Sequence, residues 1–189
     1  MDTTTMETAF AATRRVLVNV TTDQMDLPTP CSSWNVGKLV DHIVGGALWF
    51  GATMDAGSTD DDGSNIPAFS AGDFVTTFDE GVAGSLAAFG KPEVAEKMVQ
   101  LPFGTFPGAA FAGLATTDAF VHGWDLAKAT GQDTDLEAEL AEALLTGARA
   151  TIPDEFRGPD PQAPFGPELE APAGASAADR LAAFLGRTV

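Results

Sequence analysis

A carboxylate and an imidazole stand four residues apart in a strongly helical part of this sequence, at Asp118 and His122. Residues with this spacing lie one turn apart on the same face of an α-helix. A wheel drawn at about 100° per residue places both, together with Asp125, in the middle of the helix's apolar side. Buried ionisable groups must be paired or bound to an ion, because an unpaired charge costs on the order of several kcal/mol. The fold must therefore bring a partner to this face.

His42 is the other histidine of the chain and the best candidate for that partner. It lies in a second segment with helical apolar periodicity. Carboxylate and neutral imidazole are good ligands for divalent metals, and three protein ligands with one open position are typical of catalytic zinc sites. We therefore predict a metal site made of His42, Asp118 and His122, in which Asp125 holds an imidazole N–H.

A simpler interpretation of the same pattern stays open. An Asp and a His four residues apart often occur by chance in a helix. In this alternative, His122 is a core histidine that bonds to Asp118 or Asp125, and His42 is partly exposed. No ion is needed in this alternative, and spacing alone does not decide between the two.

Apolar residues at helical intervals, separated by glycine and proline, predict a mostly helical single domain over residues 1–189. Ser32 or Ser33 is expected to cap the second helix. Residues 94–107 are predicted to form an extended arm or loose hairpin, long enough for a crossover between helices that run in the same direction. Residues 153–172 are predicted to wrap over the surface. The predicted helices cover residues 5–19, 34–54, 70–89, 109–130, 135–150 and 177–185.

The second helix has two features that indicate a crowded site beside His42. Gly45 and Gly46 lie in its interior, where glycine costs about 0.5–1 kcal/mol relative to alanine, so we expect close approach of another helix or a ligand. Trp49 shares the flank of His42, and we predict that it lines a cofactor or ligand pocket. Core and rim packing is the alternative for Trp49, as it is for Trp34 and Trp124.

The acidic composition excludes several classes of function. The chain has 27 Asp and Glu against 10 Lys and Arg, a net charge of −17, and this charge repels nucleic-acid phosphates and anionic membranes. We expect a cytoplasmic protein with small-molecule partners, and neither nucleic acid nor membrane among them. The single cysteine, Cys31, excludes an internal disulfide and is expected to be structural. A reactive thiol stays open, because a helix N-terminus can lower a thiol pKa.

Longer motifs resemble a known family. Residues 28–36, Pro-Thr-Pro-Cys-Ser-Ser-Trp-Asn-Val, and residues 39–46, Leu-Val-Asp-His-Ile-Val-Gly-Gly, are similar to the start of the N-terminal domain of mycothiol-dependent maleylpyruvate isomerase, in the DinB-like superfamily. Residues 118–127 and the closing residues 179–187 extend the resemblance over nearly the whole chain.

The resemblance implies an all-α fold, a DinB-like four-helix bundle with a long crossover and additional C-terminal helices. It also implies a divalent metal, zinc or another such as nickel, near one end of the bundle, with His42, Asp118 and His122 in the places of its ligands. The isomerase has a glutamate where this chain has Asp118. Because aspartate is one methylene shorter, we expect the metal to lie closer to the helix of Asp118 or to accept a different geometry.

The function that the resemblance implies is metal-dependent thiol chemistry. In such an enzyme, of S-transferase or isomerase type, mycothiol or a similar small thiol is directed at an electrophilic substrate. The isomerase carries an additional C-terminal domain that we do not expect here, so we do not expect isomerisation of maleylpyruvate itself. A metal-binding or sensor-like protein without turnover is the alternative, and a bundle that has lost its metal is a third. The sequence leaves the oligomeric state open, and a homodimer is among the assemblies it allows.

Overall fold

Six α-helices and one two-stranded hairpin make up the regular structure of the computed structural model, which describes residues 1–160 and 162–189. The chain is therefore predominantly helical, as its periodicity predicts. The helices are α1 (Thr4–Leu17), α2 (Val36–Ala56), α3 (Phe74–Phe89), α4 (Gly108–Thr130), α5 (Ala138–Thr151) and α6 (Ala177–Phe184), and the strands are β1 (Met98–Leu101) and β2 (Gly104–Pro107).

The N-terminus of α2 differs from the prediction. The helix begins at Val36, and its N-cap is Asn35, whose side-chain oxygen accepts a hydrogen bond from the backbone N–H of Lys38 at 3.0 Å. The prediction that Ser32 or Ser33 caps this helix was wrong. Both serine hydroxyls instead donate to the carboxylate of Asp160, a residue far along the chain.

The long helices pack in contacting pairs. Helix α2 contacts both α3 and α4, and α1 contacts α4 and α3. The hydroxyl of Thr13 in α1 donates to the carbonyl of Ala119 in α4 at 2.7 Å, and Gly123, one turn further along α4, leaves room for the same threonine. The packing of α2 on α4 brings the helix that carries His42 against the helix that carries Asp118 and His122.

A short hairpin connects α3 to α4, as the sequence predicted for this region. Strands β1 and β2 pair antiparallel, from Met98 opposite Pro107 to Leu101 opposite Gly104. The hairpin is joined to the end of α2, because the Gln100 N–H donates to the Gly57 carbonyl at 3.0 Å.

The segment between α5 and α6 runs over the surface with little regular structure beyond a 3-10 turn at Asp154–Phe156. The prediction of an ordered wrap covers Pro161, which lies outside the described residues. The described part is held by backbone hydrogen bonds, such as those from Gly166 to the carbonyl of Leu185 and from Leu169 to that of Ala183. This arrangement places Asp160 and the end of the chain near the loop before α2.

No helix in the described part of the chain has both the length and the apolar character needed to cross a bilayer.

Candidate metal centre

The structure brings the three predicted ligand residues together. His42 Nε2 lies 3.3 Å from Asp118 Oδ1, and His122 Nε2 lies 3.5 Å from the same oxygen. All three ligand atoms lie within 4.8 Å of one another. The side chains are partly exposed, by 21%, 23% and 12% for His42, Asp118 and His122 respectively. The cluster is therefore mostly buried, and each of its side chains keeps some exposure to solvent.

These distances fit a divalent metal. In a tetrahedral zinc site with bonds of about 2.0–2.1 Å, neighbouring ligand atoms lie about 3.3–3.4 Å apart. The two distances to Asp118 Oδ1 are close to that edge length. Two imidazole nitrogens and one carboxylate oxygen are also a donor set that zinc and nickel accept.

The three groups interact strongly without an ion. Burial lowers the pKa of His42, but the neighbouring carboxylate of Asp118 outweighs it and raises the pKa above the ordinary 6.5. Burial raises the pKa of Asp118, and the two imidazoles outweigh it and lower the pKa below 3.8. Asp118 thus favours a positive charge at His42, and a metal bound there would compete with a proton for the imidazole.

Asp125 orients His122, as the sequence predicts. Its Oδ2 lies 3.0 Å from His122 Nδ1, so Nδ1 donates to this carboxylate and Nε2 is the ring nitrogen that faces Asp118. Asp125 is in turn bound by Arg187, whose Nε and Nη2 donate to the two carboxylate oxygens at 3.2 and 3.1 Å. The side chain of Asp125 is fully buried, so the arginine supplies the charge that its burial requires.

The charge of Arg187 sets the protonation of Asp125. Burial raises the pKa of the Asp125 carboxyl, but the guanidinium and the His122 hydrogen bond outweigh burial and lower the pKa to about 2. Asp125 is therefore an anion at neutral pH, and it accepts from both neighbours.

Cys31 is a hydrogen-bond donor in this cluster. Burial and the charge of Asp125 raise the pKa of its thiol to about 12. The thiol donates to Asp125 Oδ2 at 3.4 Å. The raised pKa and the hydrogen bond to Asp125 favour the structural role of Cys31 over the reactive thiol that the sequence left open. Cys31, His122 and Asp125 also form a ligand-like group within 4.8 Å, but Arg187 already balances its charge.

Trp34 is the tryptophan that contacts the triad. Its ring lies 4.6 Å from that of His42 and 5.5 Å from that of His122, measured between centroids. Trp49, the predicted pocket residue, packs edge-on against Phe50 and Phe111. Within the described residues it lines neither of the cavities beside the triad, and its role in ligand binding stays a prediction.

The predicted crowding beside His42 is confirmed. A Cβ atom at Gly46 would lie 3.4 Å from Asp118 Oδ2, and one at Gly45 would lie 2.8 Å from Cγ2 of Ile66. The two glycines thus admit the carboxylate of α4 on one side and the loop after α2 on the other.

Two cavities reach the triad. The first, the His42 cavity, has a volume of about 500 Å³ and is lined by His42, Trp34 and residues of the loop after α2. The second, the His122 cavity, has a volume of about 550 Å³ and is lined by Asp118, His122 and residues 158–160 and 163–167 of the C-terminal segment. Both volumes fall within the range of small-molecule sites.

Three residues of the site were not predicted to act there: Trp34, Asp160 and Arg187. Trp34 and Arg187 lie in the motifs that carry the family resemblance, and this position was the sequence feature that could have identified them as site residues. Arg187 pairs with a residue 62 positions away, and neither periodicity nor local spacing contains that information. Asp160 carries no signal of its own in the sequence.

Comparison with known proteins shows the family of the chain. The sequence model of the mycothiol maleylpyruvate isomerase N-terminal domain matches residues 6–127. Two proteins of Mycobacterium tuberculosis, one from strain H37Rv and one from strain CDC 1551, are each 40% identical to the chain over 185 residues, and both are uncharacterized. These matches cover 96% of this chain and 93% of each relative. No solved structure matches the chain significantly. The chain belongs to the family of mycothiol maleylpyruvate isomerase N-terminal domains.

Proposed function

We propose that this protein is a divalent-metal-dependent enzyme that transfers a small thiol to an electrophile. His42, Asp118 and His122 hold the metal, zinc or another such as nickel, in a DinB-like four-helix bundle formed by α1 to α4. The observation that carries the proposal is the convergence of three ligand atoms within 4.8 Å. The match to a mycothiol isomerase domain supports a thiol of the mycothiol type as cosubstrate.

The surrounding residues prepare this site for a metal. Asp125 fixes the tautomer of His122, and Arg187 keeps Asp125 ionised. Asp118 supplies one negative charge between the two imidazoles. A bound divalent metal would supply a Lewis acid that lowers the pKa of a thiol at its open position.

The proposed reaction is a nucleophilic substitution in which the thiol replaces a leaving group on the electrophile. The thiol gives its S–H proton to solvent, its sulfur forms a bond to the electrophilic carbon, and the leaving group departs with the bonding electron pair. Cys31 does not take part, because its raised pKa keeps it protonated. The cavities beside the triad favour this function over a metal-binding or sensor-like protein without turnover, which needs no substrate volume.

A thiol-consumption assay tests the proposal. Protein loaded with zinc is mixed with mycothiol and chlorodinitrobenzene, and conjugate formation is followed against chelator-treated protein and the His122→Ala variant. We expect turnover only in the metal-loaded wild type. A protein that binds metal with full occupancy but forms no conjugate above the uncatalysed rate, with this and other electrophiles, would favour the protein without turnover.

A further inference from the structure

Trp34 stands between the two cavities at the triad. Among the described residues it is the only one that lines both of them. Its ring packs on the imidazole of His42 and on that of His122. The side chain is therefore a partition: one face of the triad opens to the His42 cavity and the other to the His122 cavity.

The His42 cavity combines charged and polar residues with apolar surface from Trp34 and Ile66. Lys38, Asp41, Asp62 and Ser64 line it together with His42. These residues offer both hydrogen-bond donors and acceptors, of both charges. A ligand with several polar groups matches such a surface, because each group that leaves water finds a partner.

The His122 cavity has a different character. Leu114, Val121, Pro164 and Phe165 supply apolar surface. As with Asp41 and Asp62 in the His42 cavity, which accept backbone hydrogen bonds, its charged wall residues have partners. Asp160 accepts from the hydroxyls of Ser32 and Ser33 and from the backbone N–H of Ser33. Arg187, the cationic lining residue in the described part of the chain, donates to Asp125 and to the carbonyl of Leu185.

An anionic ligand would therefore gain little in the His122 cavity. It would have to compete with Asp125 for Arg187, while Asp118 and Asp160 add negative charge to the walls. An uncharged apolar group gives up much less hydration free energy than an anion when it enters the cavity. The cavity therefore favours an uncharged apolar group.

We propose that Trp34 separates two substrate subsites, with a polar thiol in the His42 cavity and an uncharged, largely apolar electrophile in the His122 cavity. This inference rests on the proposed function and adds the substrate class to it. Transfer between two molecules requires both to lie against the same centre at once, and two cavities that share one wall at the triad meet this requirement. About half of the described wall of the electrophile subsite comes from residues beyond the matched region 6–127.

The test uses equilibrium binding, so that it does not depend on turnover. Cobalt-loaded protein is titrated with thioglycerol, which is followed by thiolate-to-cobalt absorption, and with N-phenylnaphthylamine, which is followed by its fluorescence. Anilinonaphthalene sulfonate serves as the charged counterpart of the second probe. Ser64→Trp fills the His42 cavity, and Ala163→Trp fills the His122 cavity; the two variants are controls for each other.

We expect Ala163→Trp to weaken N-phenylnaphthylamine binding about tenfold and to leave thioglycerol unchanged, and Ser64→Trp to do the reverse. The neutral probe should bind about tenfold more tightly than its sulfonate. The two probes should bind independently in the wild type and compete in Trp34→Ala, where the cavities merge.

Competition between the probes in the wild type, or equal effects of both tryptophan substitutions on both probes, would overturn the two subsites even if conjugation is observed. Independent binding at the two cavities without conjugation would support the subsites and contradict the proposed function instead. The two proposals thus fail by different measurements.

Discussion

Gly46 controls how closely α2 approaches the carboxylate of Asp118. A Cβ atom there would lie 3.4 Å from Asp118 Oδ2, at the short end of ordinary van der Waals contact. We predict that Gly46→Ala lowers metal affinity roughly tenfold, because the methyl group fills the space beside Asp118 Oδ2 and so limits the positions that this carboxylate can take around a metal. Metal affinity is measured by competition with a chromogenic chelator. Gly84→Ala is the matched control, since nothing lies within 4 Å of a Cβ there; equal affinities of the two variants would contradict the prediction.

Asp125 is the residue on which the orientation of His122 depends. We predict that Asp125→Asn lowers metal affinity by about 10–100-fold, because His122 loses its charged acceptor. The same change should lower the free energy of unfolding by about 3–5 kcal/mol, because it leaves Arg187, whose side chain is 11% exposed, without a counter-charge. Chelator competition and urea unfolding measure the two effects.

Asp79→Asn is the control for that substitution, because Asp79 pairs with Arg14 at an exposed site far from the triad. It should leave both quantities essentially unchanged. An Asp125→Asn protein that binds metal as tightly as the wild type would show that Asp125 does not orient His122.

Asp125 also predicts a pH dependence of stability. Its pKa is lowered from 3.8 to about 2 in the folded protein, so between these values the unfolded state binds more protons. Its contribution, about 2 kcal/mol, is therefore complete above pH 3.8 and is lost as pH falls toward 2. Urea unfolding of metal-free protein should show the gap between wild type and Asp125→Asn narrowing over this range. A constant gap would contradict the assignment.

Single residues also show what sequence reasoning can reach at the site. Asp118 and His122 are found from spacing within one helix, and Asp125 follows from its place beside His122. Trp34 was not separated from Trp49, because the prediction placed both in one helix over residues 34–54. In the structure α2 begins at Val36, so a helical wheel does not describe the position of Trp34. The contacts of residues that lie outside helices and strands cannot be predicted from a periodic pattern of apolar residues.

At the scale of elements, the helices were predictable because their apolar faces repeat at helical intervals and their ends carry glycine or proline. Helix α4 ends at Thr130, with Gly131 in the left-handed conformation at a φ of 71°, as the sequence indicates. The cap of α2 was not predictable from preference alone, because Ser32, Ser33 and Asn35 are all good caps. In the structure the hydroxyls of Ser32 and Ser33 donate to Asp160, and Asn35 is the N-cap.

The contact of α1 with α4 depends on Gly123. A Cβ there would meet the side chain and backbone of Thr13. We predict that Gly123→Ala lowers the free energy of unfolding by about 1–3 kcal/mol, because the helices must separate. Gly113→Ala, at an exposed position of α4 with nothing within 4 Å, should instead raise it by about 1 kcal/mol. Thermal unfolding of both variants measures the difference, and a stabilised Gly123→Ala protein would contradict this packing.

At the scale of the whole molecule, the site is assembled from distant parts of the chain. The loop before α2, helices α2 and α4, and the C-terminal segment with Arg187 meet at one place. A sequence can predict the separate helices, but the way in which the C-terminal segment closes over them depends on long-range pairing. The net charge of −17 adds a general attraction for cations, which would favour metal binding at the proposed site.

The most direct test of this account is the metal content of the protein purified without chelators under metal-replete conditions. Elemental analysis should find about one transition-metal ion per chain in the wild type, as expected for a single three-ligand site. His42→Ala and His122→Ala should lose most of it while retaining helical structure by circular dichroism. A wild-type protein without bound metal, or alanine variants that keep the full complement, would contradict the central claim that His42, Asp118 and His122 hold a metal.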